Sequence, residues 1–455
     1  MLENPHSKSR TTARRRLRHL LAATAAASVA ALSAASLAGA ATPTTPPPVK
    51  ILTHGNVGNG AFFITPFGDA ETYANGAEIL DPNGNVVWFH QVPAGEEATD
   101  FRTQTYDGQT VLTFWQGIGN GGHASGVDYI YNDHYEQIAE VKAGNGQSAD
   151  AHEFEITPQG TALIPAYYEK TVDLSSIGGP TEQKILDEVV QEIDIKTGQV
   201  LFEWDAADHV PYSQSEQPLP ASPTTAWDWF HLNAIKPDGH GGLLVDARDT
   251  WTFYDVDRAT GDIEWQLGGK ASTFQQLAAS GQSLNEAGDL FAWQHDPEIV
   301  GPNEFTIFDD ESAGVANTGV EAVEDLGHSR VERIKVDPWA KTATLVKSWN
   351  QPEGLVASSQ GNAQTTAADN LAVSWGNLPY FSEFDQQGDL LFNAEFPTGV
   401  NTYRAYFLPW PPASSGGGSG GNGGGPGRGG SGHGHGHHPR QHHDRHGRGD
   451  HRHGH

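Results

Sequence analysis

A single hairpin pattern recurs between residues 80 and 392 and limits this chain more than any other feature. Leu80-Asp81-Pro82-Asn83-Gly84-Asn85-Val86-Val87-Trp88 has counterparts in Ile195-Lys196-Thr197-Gly198-Gln199-Val200-Leu201-Phe202-Glu203-Trp204 and Val256-Asp257-Arg258-Ala259-Thr260-Gly261-Asp262-Ile263-Glu264-Trp265. Phe384-Asp385-Gln386-Gln387-Gly388-Asp389-Leu390-Leu391-Phe392 is a fainter copy. Each reads as a short strand, a turn with glycine where positive φ is needed, and a second strand ending on an aromatic ring. Helical periodicity is nearly absent from Ile51 to Trp410, with one weak stretch near Phe274–Leu284. Short strands in units spaced by several tens of residues predict an all-β chain, a β-propeller rather than a sandwich. At roughly 45–50 residues per blade the length would give seven or eight blades. Long inserts at Ser213–Ala226 and Gln275–Leu290 lower the expectation to six. Ordinary hairpins in a mixed β protein are the alternative.

The two ends are foreign to this pattern. Residues 1–40 run from Arg14-Arg15-Arg16-Leu17-Arg18 through an Ala/Leu/Ser stretch to Ala38-Gly39-Ala40. A basic start, an apolar centre and small residues at the close predict a signal peptide removed near Ala40. Alanine-rich and broken by Thr and Ser, the apolar run is a poor membrane span. The chain is thus expected to be secreted, by the general secretory or the twin-arginine route, with no stable membrane insertion. Residues 41–50 read as a Pro/Thr spacer and 51–410 as the propeller domain. Residues 411–455 turn Gly/Ser-rich and then His/Arg/Gly-rich, and ten of the 22 histidines lie beyond residue 432. Such a tail cannot bury a core and is expected to be disordered. Its imidazoles could bind Zn²⁺, Ni²⁺ or Cu²⁺, act as a pH-dependent cationic surface, or be merely solvated.

Cysteine is absent, which removes disulfides, thiol nucleophiles and thiolate metal sites. The net charge of −29 understates the middle of the chain. Residues 1–40 hold six Lys/Arg and one acid, and residues 411–455 hold five Arg and two Asp. Residues 41–410 therefore keep 16 basic and 53 acidic side chains, a net −37. That field repels nucleic acid and anionic lipid as partners. An anionic substrate would need a local donor site, which gives the aromatic-flanked Arg248 its interest.

Outside the tail, His6 and His19, ten histidines remain. Three stand out, because His152, His231 and His295 each sit at the start of a strand-like segment, the last two after aromatic runs. Each alone suits a core histidine bonded to backbone. Three at analogous strand starts of different blades would converge on the central channel. With Asn233 and Arg248 they form an inventory for gripping and transferring an anionic group.

The chain resembles the arylsulfate sulfotransferase family, in particular its secreted actinobacterial and fungal branch. The stretches that carry the likeness include Ala151-His152-Glu153-Phe154-Glu155-Ile156, Phe230-His231-Leu232-Asn233, Trp265-Gln266-Leu267-Gly268-Gly269-Lys270 and Phe291-Ala292-Trp293-Gln294-His295-Asp296. Phe308-Asp309-Asp310, Gln360-Gly361-Asn362, Trp375-Gly376 and Tyr403-Arg404-Ala405-Tyr406 extend it across most of residues 50–410. The resemblance implies a six-bladed propeller that moves a sulfuryl group from an aryl sulfate to a phenol, with no cofactor and no metal. By motif, His295 matches the nucleophile that becomes sulfated, and His231 and Asn233 match residues holding the sulfuryl oxygens. Arg248 matches the arginine after that strand, and His152 the upstream histidine. Where enterobacterial-type members carry a Thr after the nucleophile, this chain has Asp296. The His152-Glu153 pair likewise replaces a different His-containing stretch.

The residue chemistry fits that expectation. A sulfuryl group in a loose transition state spreads charge over its oxygens, so positioning and charge stabilisation dominate. Arg248 offers a permanent forked donor, a neutral His295 offers a lone pair, and a second histidine can move the phenol's proton. Phe230, Trp229 and Trp293 could flank an aryl ring or simply pack. The reading from another class is a non-catalytic secreted propeller that binds a ligand or a cell-surface glycan. A quinone-dependent dehydrogenase, or hydrolysis at a Zn²⁺ held by His152, His231 and His295, are the enzymatic alternatives.

Overall fold

The computed structural model describes residues 42–314 and 324–411. The expected signal peptide and His-rich tail lie outside the described residues. Six mainly antiparallel sheets of four or five strands account for nearly all the regular structure among the described residues, and the chain is a six-bladed β-propeller. No described helix is long and apolar enough to cross a membrane.

From the inside outward the second blade is Glu97–Tyr106, Gln109–Gly119, Ala124–Tyr131 and Gln137–Val141. The innermost strands of the next four are Glu155–Ile156, Leu232–Pro237, His295–Gly301 and Asn362–Thr365. The first blade is sealed by the chain's last strand: Asn401–Leu408 pairs with Ala61–Phe67, Ala61 opposite Leu408. A second seal runs the other way, with Lys50–His54 added outside Leu390–Glu395 of the sixth blade. Residues 42–49 have no regular structure, yet Thr45 and Pro43 carbonyls accept hydrogen bonds from Ala74 and Gln91 of the first blade. The expected spacer thus lies against the propeller.

The hairpin seen in the sequence is the outer turn of a blade, between its third and fourth strands. In each copy an aspartate side chain accepts backbone N–H groups of the turn: Asp194 from Lys196 and Thr197, Asp257 from Ala259 and Thr260. This local acceptor fixes the turn before any tertiary contact forms. The second and fifth blades have the same device without glycine. Asn132 accepts from His134 and Glu136, and Asp337 from Trp339 and Ala340. There Tyr135 (φ 64°) and Lys341 (φ 54°) take the left-handed conformation that Gly198 (φ 71°) takes elsewhere. These two copies escape a search keyed on glycine.

Six apolar clusters hold the blades together, one at each blade–blade interface. Phe62, Phe381, Phe392 and Phe407 join the sixth blade to the first, and Leu163, Trp204, Phe230 and Tyr254 join the third to the fourth. The weak helical signal near Phe274–Leu284 is not a helix. Gln275–Ala278 adds a parallel strand to the outer edge of the fifth blade, Gln275 opposite Thr342, while Phe274 and Leu284 pack into the cluster between fourth and fifth blades. Apolar spacing in a short insert reports burial, and here burial against an existing sheet edge settles the conformation.

Candidate functional site

The central channel has two levels. The deeper level is an ion-pair network from the inner strands. Arg102, Lys236 and Arg404 interlock with Asp100, Glu153, Glu155, Asp296 and Glu298. Glu153 lies 2.6 Å from Arg102 and 3.0 Å from Lys236, and Asp296 lies 3.1 Å from Lys236 and 3.3 Å from Arg404. Burial would raise the Glu153 carboxyl, but the three cations hold it well below the usual range. Glu153 and Asp296, which follow His152 and His295 in the chain, are counter-ions of this plug.

Above it opens a cavity of about 510 Å³, within the size range of small-molecule sites. His152, His231, His295 and Arg248 all line it. The His152 ring centroid lies 4.9 Å from that of His231 and 5.9 Å from that of His295. Local distortion delivers these side chains. The inner strands carrying His295 and His231 have irregular register at His295/Glu298 and Leu232/Ala234. His231 (φ 58°), Trp293 (φ 58°) and Asp296 (φ 51°) hold left-handed backbone, costly for such residues and typical of functional sites. A bulge re-aims consecutive side chains, which is how His295 meets the cavity while Asp296 meets the plug.

Each imidazole is fixed on one edge. His295 Nδ1 donates to the Gly361 carbonyl at 2.9 Å, so its Nε2 carries the lone pair when neutral. Burial, reinforced by Arg404, His152, His231 and Arg248, holds its pKa well below 6.5. His231 Nδ1 donates to Asp228 at 2.6 Å. Burial alone would lower this imidazole, but Asp228, with Asp249 behind it, raises it above 6.5. His152 is tied to Asp150 through Nδ1, and burial lowers it despite that carboxylate. Three histidines in one cavity are thus tuned apart, protonation being disfavoured at His152 and His295 and favoured at His231. Arg248 donates to Asp249 (3.2 Å), Ser312 O (3.0 Å) and Ser358 O (2.7 Å), and its guanidinium lies over the Trp293 ring at 5.3 Å. Its Nε has no hydrogen-bond partner among the described residues.

Three expected substrate contacts do not reach the cavity. The Asn233 side chain bridges blades, donating to Gln294 O and accepting from Asp296 N, so its amide is already satisfied beneath the site. Trp293 is fully buried under Arg248 and against Trp251. Phe230 stacks on Tyr254 in the core between third and fourth blades. Their aromatic or amide character signalled burial.

Conversely, the closing strand supplies Tyr403, whose hydroxyl donates to His152 O at 2.8 Å and lies 3.3 Å from His295 Nε2. Gln360, Thr99, Glu97 and His123 also line the cavity. His123 stacks on Tyr167 at 5.9 Å. Only the Tyr403-Arg404 and Gln360-Gly361 family stretches hinted at any of these.

Among the described residues one group could hold a metal ion: Asp228, His231 and Asp249, with ligand atoms within 4.8 Å of one another. These atoms already have partners, since Asp228 pairs with His231 while Asp249 accepts from Arg248 and Gln217. The three cavity imidazoles do not form such a group.

A family model described as arylsulfotransferase (ASST) matches residues 102–397. No curated protein matches the chain. Similar solved structures include a Bacteroides caccae protein of unknown function, 11% identical with a TM-score of 0.44, covering 76% of this chain and 98% of that one. A Lactobacillus plantarum protein is 11% identical with a TM-score of 0.35, covering 77% and 100%. The β-propeller domain of Myceliophteria thermophila Cps50 (Swd1) is 11% identical with a TM-score of 0.36, covering 67% and 89%.

Proposed function

The chain belongs to the arylsulfotransferase family, and from that premise we propose that it moves a sulfuryl group from an aryl sulfate to a phenol through a sulfated His295. One observation carries the proposal: a buried imidazole whose protonation burial disfavours, its Nδ1 held by the Gly361 carbonyl, shares a cavity with a guanidinium and with an imidazole whose protonated form Asp228 favours.

Arg248 and the His231 imidazolium hold the oxygens of the donor sulfate. His295 Nε2 attacks sulfur, an N–S bond forms and the S–O bond to the aryl group breaks. The leaving phenolate takes the His231 proton, which Asp228 has kept available. The acceptor phenol then returns a proton to neutral His231 and attacks the same sulfur. The N–S electron pair goes back to Nε2, which regenerates the enzyme. Tyr403, its hydroxyl held protonated by burial, positions the His295 ring.

The test incubates the protein with 4-nitrophenyl sulfate, with and without phenol. Nitrophenolate release should depend on the acceptor, and the peptide containing His295 should gain the mass of one SO₃ when acceptor is withheld. Undiminished turnover by His295→Ala would assign the nucleophile elsewhere.

A further inference from the structure

The floor of the cavity is built for an anion, but its wall carries a carboxylate with nothing to neutralise it. Glu97 is the first residue of the inner strand Glu97–Tyr106 of the second blade and lines the same cavity as His295 and Arg248. Its side chain makes no ion pair or hydrogen bond among the described residues. Its neighbour Glu96 differs, since it accepts from Gln116 at 2.7 Å. Half-buried, Glu97 is raised by desolvation, with no charged group close enough to offset it. A carboxylate in that position costs free energy unless a cation joins it.

Two further features fit a reserved position. A Cβ at Gly119 would stand 3.1 Å from Glu97 Oε2, and Gly119 does not need positive φ. Glycine there therefore keeps space around the carboxylate rather than easing a turn. Thr99, on the same side of the strand, donates to Ala151 O beside His152. Two residues of strand advance roughly 7 Å, so Glu97 stands about one aromatic ring and a short arm above the level of the histidines.

We propose that Glu97 selects the acceptor, and that the acceptor is a phenol bearing a cationic amine on a short side arm. The phenol hydroxyl reaches the sulfuryl group held by Arg248 and His231, and the ammonium meets Glu97. The net −37 of residues 41–410 favours the approach of such a cation from solution. This assignment rests on the sulfuryl-transfer reading above and adds a substrate class to it.

The experiment measures kcat/KM for tyramine and for 4-ethylphenol, its uncharged counterpart, with 4-nitrophenyl sulfate as donor at neutral pH. The intact protein should favour tyramine by about threefold to tenfold, the range of one partly buried ion pair. Glu97→Gln should bring the ratio to near one, and Glu97→Lys should shift preference to 3-(4-hydroxyphenyl)propionate. Transfer to both acceptors at equal efficiency, or a ratio that survives both substitutions, overturns the role of Glu97 alone. No transfer to any acceptor overturns the sulfuryl-transfer reading and this assignment with it.

Discussion

His152 and Glu153, and again His295 and Asp296, are chain neighbours that serve different levels of one channel. The histidines line the cavity, each tethered through Nδ1, with the Tyr403 hydroxyl beside His295 Nε2. The acids lie in the plug, where Arg102, Lys236 and Arg404 surround them. Both levels are buried and polar. What separates them is access, because a buried charge enclosed by counter-ions stabilises a geometry whereas a group lining open space can bind something else.

That contrast can be broken by substitution. The largest effect should come from His295→Ala, which removes the proposed nucleophile and should lower acceptor-dependent turnover by at least about 10³-fold. Removing a plug cation should act on stability instead. Arg404→Met withdraws one cation from Asp100, Glu153 and Asp296, leaving them only Arg102 or Lys236, and should cost about 3 kcal/mol in denaturant unfolding. If stability holds while turnover falls, the two levels are not distinct. Arg248→Lys keeps the charge but loses the fork and should reduce kcat by about 10²-fold with little change in unfolding midpoint.

The smallest effect is a shift in pH dependence. Asp228 raises the His231 pKa, and the acid form is lost as pH rises through that value. Asp228→Asn withdraws the supporting charge and should move the alkaline limb of kcat/KM for phenyl sulfate to lower pH. Phenyl sulfate is the right donor because its leaving phenolate needs a proton. An unmoved limb would remove His231 from the acid role.

Much of this was legible without coordinates. The glycine-bearing turns marked four outer hairpins because the signal is local: an aspartate oxygen, a few backbone N–H groups and one left-handed residue. The turns at Tyr135 and Lys341 escaped because a non-glycine residue holds the same conformation. Among the candidate site residues, His152, His231 and His295 stood out by their place at strand starts and Arg248 by following a strand, and all four line one cavity. Asn233, Phe230 and Trp293 look equally apt in sequence. They fail to reach the cavity because neighbouring blades cover them or take up their hydrogen bonds.

The sequence by itself determined the repeating turn, the β class and the supply of imidazoles, each a matter of residues within about ten positions of one another. Only the closed propeller decided which polar groups are neutralised and which stay available. Tyr403 comes beside His152 across 251 positions, and Gly361 beside His295 across 66. Hydrogen bonds and ion pairs act over a few ångströms, so whether a side chain is satisfied depends on who its spatial neighbours are, and here the closing strand and distant loops supply them.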